Sequence, residues 1–122
     1  MAIYNGTIFL TRGDSDSITV SCTNEDGSLK PLTTGDKVYL TVKSVMGTTD
    51  KLFQKVETSF TEGVAVILLN ASDTKNIKPG DYFFDIRIIW GSGGVDTLVR
   101  PERVSKGKYN PNFFLLEDVT HE

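Results

Sequence analysis

Apolar and polar residues alternate with a period of two along most of the chain. In Ser17-Ile18-Thr19-Val20-Ser21-Cys22-Thr23 every second residue is apolar and the residues between carry hydroxyls. A pleated strand sends successive side chains to opposite faces, so Ile18, Val20 and Cys22 are predicted to point inward and the hydroxyl residues outward. The pattern recurs in Val38, Leu40 and Val42, and over its longest stretch in Tyr82, Phe84, Ile86 and Ile88 against Asp81, Phe83, Asp85 and Arg87. Ile8, Phe9 and Leu10 open a further strand, and Leu52 to Val56 is a weaker one. Val95, Thr97 and Val99 form a late strand, which Pro101 ends or confines to a sheet edge. The apolar run Val64 to Leu69 is read as a strand buried on both faces, being too short for a buried helix and β-branched at Val64, Val66 and Ile67.

Turn residues separate these runs: Arg12-Gly13-Asp14, Asn24-Glu25-Asp26-Gly27, Thr34-Gly35-Asp36, Lys78-Pro79-Gly80 and Gly91-Ser92-Gly93-Gly94. One helical turn is expected near 71–77, as a connector. Short strands with almost no helix predict an all-β fold, an antiparallel β-sandwich of about seven strands with Ig-like architecture. A partly open barrel is the second choice. The paired cysteines of immunoglobulin domains are absent, since Cys22 is the single cysteine. One β-sandwich domain is expected over 1–104, and 105–122, where the alternation breaks down, as a C-terminal tail or extra strand.

The 122 residues suffice for one domain with its own core. Apolar content of 39%, charged content of 24% and a net charge of -3 suit a globular chain rather than a disordered one. A pI near 5.1 gives no global positive field, so nucleic acid is not an expected partner. The longest apolar run falls far short of the about 18 residues that suggest a membrane span, so no membrane association is expected. The start, Met1-Ala2-Ile3-Tyr4-Asn5-Gly6, lacks the charged and apolar regions of a secretory signal, which points to a cytoplasmic origin.

The order of motifs carries a family resemblance. Ile8-Phe9-Leu10-Thr11-Arg12-Gly13-Asp14, then Asp26-Gly27 with Leu32-Thr33-Thr34-Gly35-Asp36-Lys37-Val38, then Lys78-Pro79-Gly80-Asp81-Tyr82-Phe83-Phe84-Asp85-Ile86 resembles the N-terminal domain of phage baseplate upper proteins. The likeness spans roughly residues 7 to 104. It implies a sandwich that packs against other phage tail or baseplate subunits as a homo-oligomer, in a virion assembled in the host cytoplasm, with no catalytic residues to carry over. Family members commonly continue into a long C-terminal region that this sequence does not contain.

Candidate chemistry is sparse, and no enzyme activity is expected. His121, the single histidine, sits beside the last residue, where a catalytic base is not expected. Cys22 and His121 together fall short of a zinc ligand set, and no metal or cofactor is expected. Asp14-Ser15-Asp16 and Asn24-Glu25-Asp26-Gly27 lack calcium-loop spacing and read as turn caps. Asp81 and Asp85 share a strand face rather than opposing each other across a cleft, as a glycosidase pair must. Arg12-Gly13-Asp14 matches the integrin-binding tripeptide in letters but is explained by turn chemistry.

Two features point outward. Phe83 lies on the strand face opposite Tyr82 and Phe84, and is therefore exposed or covered by a neighbour. Tyr109-Asn110-Pro111-Asn112-Phe113-Phe114-Leu115-Leu116 ends in four large apolar residues that water does not tolerate well. Phe113 to Leu116 either adds a strand to its own sandwich or docks on another subunit. Phe83, Tyr109, Phe113, Phe114, Leu115 and Leu116 are thus the candidate partner-binding residues. The cluster Arg100, Arg103, Lys106 and Lys108 is read first as a solvated basic stretch; in a docked tail it would set orientation and on-rate. The alternative function is a carbohydrate-binding or adhesion-type recognition module, with Phe83, Trp90 and Tyr109 as its available aromatics.

Overall fold

The computed structural model describes residues 2–4, as backbone, and 6–118. In chain order the strands are β1 (Ala2–Tyr4), β2 (Thr7–Thr11), β3 (Asp16–Val20), β4 (Cys22–Thr23), β5 (Leu29–Lys30), β6 (Lys37–Lys43), β7 (Phe53–Glu57) and β8 (Ala65–Leu69). The single helical turn α1 (Ala71–Thr74) follows, then β9 (Gly80–Ile89), β10 (Val95–Val99), β11 (Arg103–Ser105), β12 (Lys108–Tyr109) and β13 (Phe113–Leu116). The fold is all-β. A seven-stranded sheet runs β1-β2-β13-β9-β6-β7, with β10 paired to the far end of β9, and β3-β8, β4-β5 and β11-β12 form two-stranded ladders.

One core joins the large sheet to the β3-β8 ladder. Ile8 and Leu10 of β2, Val38, Leu40 and Val42 of β6, Phe84, Ile86 and Ile88 of β9, and Phe113 and Leu115 of β13 meet Ile18 and Val20 of β3 and Ala65, Ile67 and Leu69 of β8. The period-two reading therefore names the inward face correctly in β3, β6 and β9, and Cys22 is buried as expected. Burial raises the pKa of its thiol.

The stretch predicted as one strand over 17–23 is two, broken at Ser21, where the chain leaves β8 and pairs with Lys30 and Leu29 instead. The run Val64 to Leu69 is not buried on both faces. Val66 and Leu68 are 40% and 60% exposed, because β8 pairs on one side with β3 and turns only alternate residues into the core. Length and β-branching identified the strand, but an all-apolar run hides its alternation.

The largest difference lies at 105–122. Phe113–Leu116 occupies the middle of the large sheet, parallel to β2 (Phe113 opposite Ile8) and antiparallel to β9 (Phe113 opposite Tyr82). The sheet is thus mixed rather than antiparallel throughout, and the expected boundary after 104 falls inside the β11-β12 ladder. Pairing direction depends on where the chain arrives, which periodicity does not encode. Phe113 is 1% exposed and meets Phe84 and Phe53 edge-on, with ring centroids 6.2 and 6.3 Å apart.

Asn112 seats this strand. The β13 pairing with β9 stops at Tyr82 and the β10 pairing begins at Ile86, leaving the main chain of Phe84 between them. The buried amide of Asn112 fills the gap: Phe84 N–H donates to its Oδ1 at 2.8 Å, and its Nδ2 donates to the Phe84 carbonyl at 2.9 Å. Its own N–H donates to the Tyr82 carbonyl, and its carbonyl accepts from Ile8 N–H. A second polar clamp, Asp36, ties the approach to β6 to the β9-β10 hairpin, accepting from Gly91 N–H at 2.7 Å and Thr33 N–H at 2.9 Å. Gly91 lets the two turns approach closely, since a Cβ there would sit 3.2 Å from the Gly35 backbone.

Three outcomes are expected. Ending the chain after Ser105 removes a central strand and abolishes cooperative unfolding in urea. Asn112→Ala strands a buried N–H and C=O and costs about 2–4 kcal/mol in the same titration. Hydrogen bonds from Gly91 and then Thr33 lower the Asp36 pKa, so its contribution is complete above the unfolded value of about 3.9 and is lost as pH falls through the folded one. Thermal melts of wild type and Asp36→Asn from pH 6 to pH 2 should therefore converge in acid.

Candidate assembly interface

The large sheet has one face on the core, and its other face is only partly covered. On β2 and β13 the outward residues are Phe9, Phe114 and Leu116, brought side by side by the parallel register that sets Phe114 opposite Phe9. The two rings stack with centroids 5.1 Å apart and planes 15° from parallel. Beside them a depression of about 550 Å³ is lined by Thr7, Arg100, Glu102, Asn110 and Pro111. Leu116 is 46% exposed at the strand's end.

On β9 the outward residues are Asp81, Phe83, Asp85 and Arg87. Phe83 is half-buried because the β11-β12 hairpin comes over it: Val104, Gly107, Lys108 and Tyr109 face Ser44, Val45 and Met46 across a groove of about 490 Å³ that Phe83 also lines. The structure thus brings Phe83 and Tyr109 together, and their shared neighbours Val45 and Val104 are 60% and 54% exposed. Sequence reasoning missed Val45, Met46 and Val104, since each stands in a stretch without alternation. Their signal was being apolar in turn-rich segments that no core strand claims.

The four-residue apolar run divides. Phe113 and Leu115 are buried in the core and out of a partner's reach, which corrects their reading as docking residues, whereas Phe114 and Leu116 face outward. Lys106 and Lys108 are exposed, and Lys108 lines the Phe83 groove, so the basic stretch rims an apolar site. Val66 and Leu68 are also exposed, but Thr19 and Ser17 pair with them across the ladder and keep that patch narrow.

Next to Phe83 the outer face turns polar. A hollow of about 290 Å³ is lined by Tyr39, Thr41, Lys43, Lys51, Gln54, Asp85, Arg87 and Ile89. Gln54 Nε2 donates to the buried Thr41 hydroxyl at 2.8 Å, and Lys43 Nζ donates to the Thr48 carbonyl at 2.6 Å. Asp85 is the one carboxyl lining the hollow, so a two-carboxyl mechanism has no second acid there. Partial burial raises its pKa, against the opposing pull of Arg87 and Lys43.

Other sequence candidates have structural roles. Arg12 pairs with Asp118 at 2.9 Å, and Gly13 N–H donates to the buried Thr74 hydroxyl at 3.0 Å, so the Arg-Gly-Asp turn is tied to α1 and the chain beyond β13. Asp26 caps its turn by accepting from Ser28 N–H at 2.9 Å. Trp90 carries the Lys30 ammonium 4.1 Å from its ring centroid and donates Nε1–H to Asp96 at 2.7 Å. No group of three or more potential metal ligands occurs among the described residues, and His121 lies outside them.

A carboxyl with a raised folded pKa opposes folding when ionised, and that penalty fades as pH falls through the folded value. Asp85→Asn is therefore expected to melt at higher temperature than wild type at pH 7 and at the same temperature near pH 2. An unchanged melting temperature at pH 7 would show that Asp85 is solvated.

Comparison of the chain with protein-family models, curated proteins and solved structures finds no match.

Proposed function

We propose that this chain is a structural subunit of a bacteriophage or prophage tail or baseplate, working without catalysis through protein–protein contacts as one copy in an oligomer. The observation that carries the reading is the outer face of the large sheet. The stacked Phe9 and Phe114, the exposed Leu116 and the Phe83-Tyr109 groove place aromatic and aliphatic surface on one side of a chain whose core is already complete. Exposed apolar surface of this kind is characteristic of association sites. The shared motif order adds support, because its Arg-Gly-Asp, Thr-Gly-Asp and Pro-Gly elements each shape a turn at one end of a strand of the large sheet, β2, β6 and β9 in that order. The product of such a subunit is geometry: a rigid sheet holds partners at a fixed angle.

The carbohydrate-recognition alternative draws less support. Of its three aromatics, Trp90 already has Lys30 over its ring and its N–H bonded to Asp96, and Phe83 and Tyr109 line a groove instead of presenting an open stacking platform.

Light scattering coupled to size exclusion, over a wide concentration range, tests the proposal. A discrete oligomer is expected, and Phe114→Ser combined with Leu116→Ser should lower its mass while leaving the fold intact. A chain that stays at 13.5 kDa at every concentration would remove self-assembly as its function.

A further inference from the structure

The sheets that share the core differ in width, and the difference leaves a seam open. The large sheet has seven strands, whereas β3 and β8 meet it as a ladder of two. Along that ladder runs a slot of about 620 Å³, lined by residues 18–23, which run through β3 into β4, by residues 96–99 of β10, and by Ile86 and Trp90. No described residue of β8 lines it, so the slot lies on the edge of β3 that β8 does not take, and that edge has no strand partner among the described residues. Ile18, Val20, Cys22 and Ile86 are all buried, which gives the slot an apolar floor. β10 borders the other side, but its ladder with β9 slips between Thr97 and Val99, and a bulge spoils an edge for regular pairing. β3 keeps an unbroken register from Asp16 to Val20. The regular edge is the one able to accept a further strand.

Unused N–H and C=O groups along a strand edge are complemented by another extended backbone. We propose that the slot is a docking site for an extended segment of a different protein subunit, which adds to β3 as a third strand beside β8 and sends alternate apolar side chains in over Ile18, Val20 and Ile86. A second copy is a poor donor, since every described strand of this chain already has a ladder partner and lending one would break that ladder. The segment needs no charge where it docks, because the two charged lining residues, Lys30 and Asp96, are already engaged by the ring and the Nε1–H of Trp90. None of the residues of the outer face that carry the assembly reading lines the slot, so the inference adds a second surface and the kind of partner it takes.

Main-chain pairing tolerates many side chains, so a model peptide tests it: a blocked heptapeptide of alternating valine and threonine with a lysine at each end. Trp90, the single tryptophan, lines the slot and reports occupancy by its fluorescence. Titration to millimolar peptide should give a saturable one-to-one change, and amide hydrogen exchange in β3 should slow by about tenfold at saturation. The same peptide with its valine and threonine amides N-methylated has lost its donors and should bind at least about tenfold more weakly. Leu98→Glu, an exposed change that sets a charge at the slot's mouth, should weaken binding by about tenfold as well. Phe114→Ser with Leu116→Ser, on the outer face, should leave it unchanged. Circular dichroism checks that both variants remain folded.

No saturable signal at millimolar peptide overturns the proposal, as does undiminished binding of the methylated peptide or of the folded Leu98→Glu variant. Protection that appears in β10 instead of β3 overturns the choice of pairing edge. Loss of binding in the folded Phe114-Leu116 variant puts the peptide on the outer face and overturns the site. Self-association, present or absent, leaves each of these results readable, so this inference and the assembly reading fail separately.

Discussion

The fold depends on the seating of its last strand between β2 and β9, and that seating depends on one amide. Asn112 supplies a donor and an acceptor to the Phe84 backbone at the point where neither β13 nor β10 reaches it. Buried peptide groups without partners are costly, and an apolar side chain there would leave both of them bare. With the amide in place, Phe113 and Leu115 drop into the core and β9 has a continuous partner from Gly80 to Ile89. The Arg12-Asp118 ion pair fastens the strand's far end.

The outward surface follows from the same insertion. Once β13 is held in register, Phe114 must stack on Phe9 and Leu116 must face away from the core. The hairpin before it, delivered by Asn110 and Pro111, must come to rest near Phe83. Inward packing and outward presentation are thus two faces of one alternating strand.

Much of the fold was legible in the sequence. Alternation located the inward residues of β3, β6 and β9, and turn residues located most of the joins. It failed where every residue of a strand is large and apolar, as in Val64 to Leu69 and Phe113 to Leu116, because the period is then invisible. Nor did it reveal that β13 lies parallel to β2, since strand order comes from long-range contacts and no local propensity specifies them. Half of the site was legible for the same reason: Phe83 stood out against a regular background, whereas Val45, Met46 and Val104 had no background to stand against. Asn112 stood in the stretch where the alternation breaks down, and its burial between strands has no local signature.

The late position of β13 also has a consequence for how the chain is made. Arg12 and Asp118 are 106 residues apart, and the sheet between them cannot close until β13 has left the ribosome. During synthesis β2 and β9 stand as two open edges around a vacant slot, and non-local closure of this kind is slow. A strand of matching pattern from a neighbouring nascent chain has the same chemistry to offer that slot. The order of synthesis therefore makes the completed sheet a competition between a chain's own β13 and its neighbour's, in which proximity along the chain favours the former.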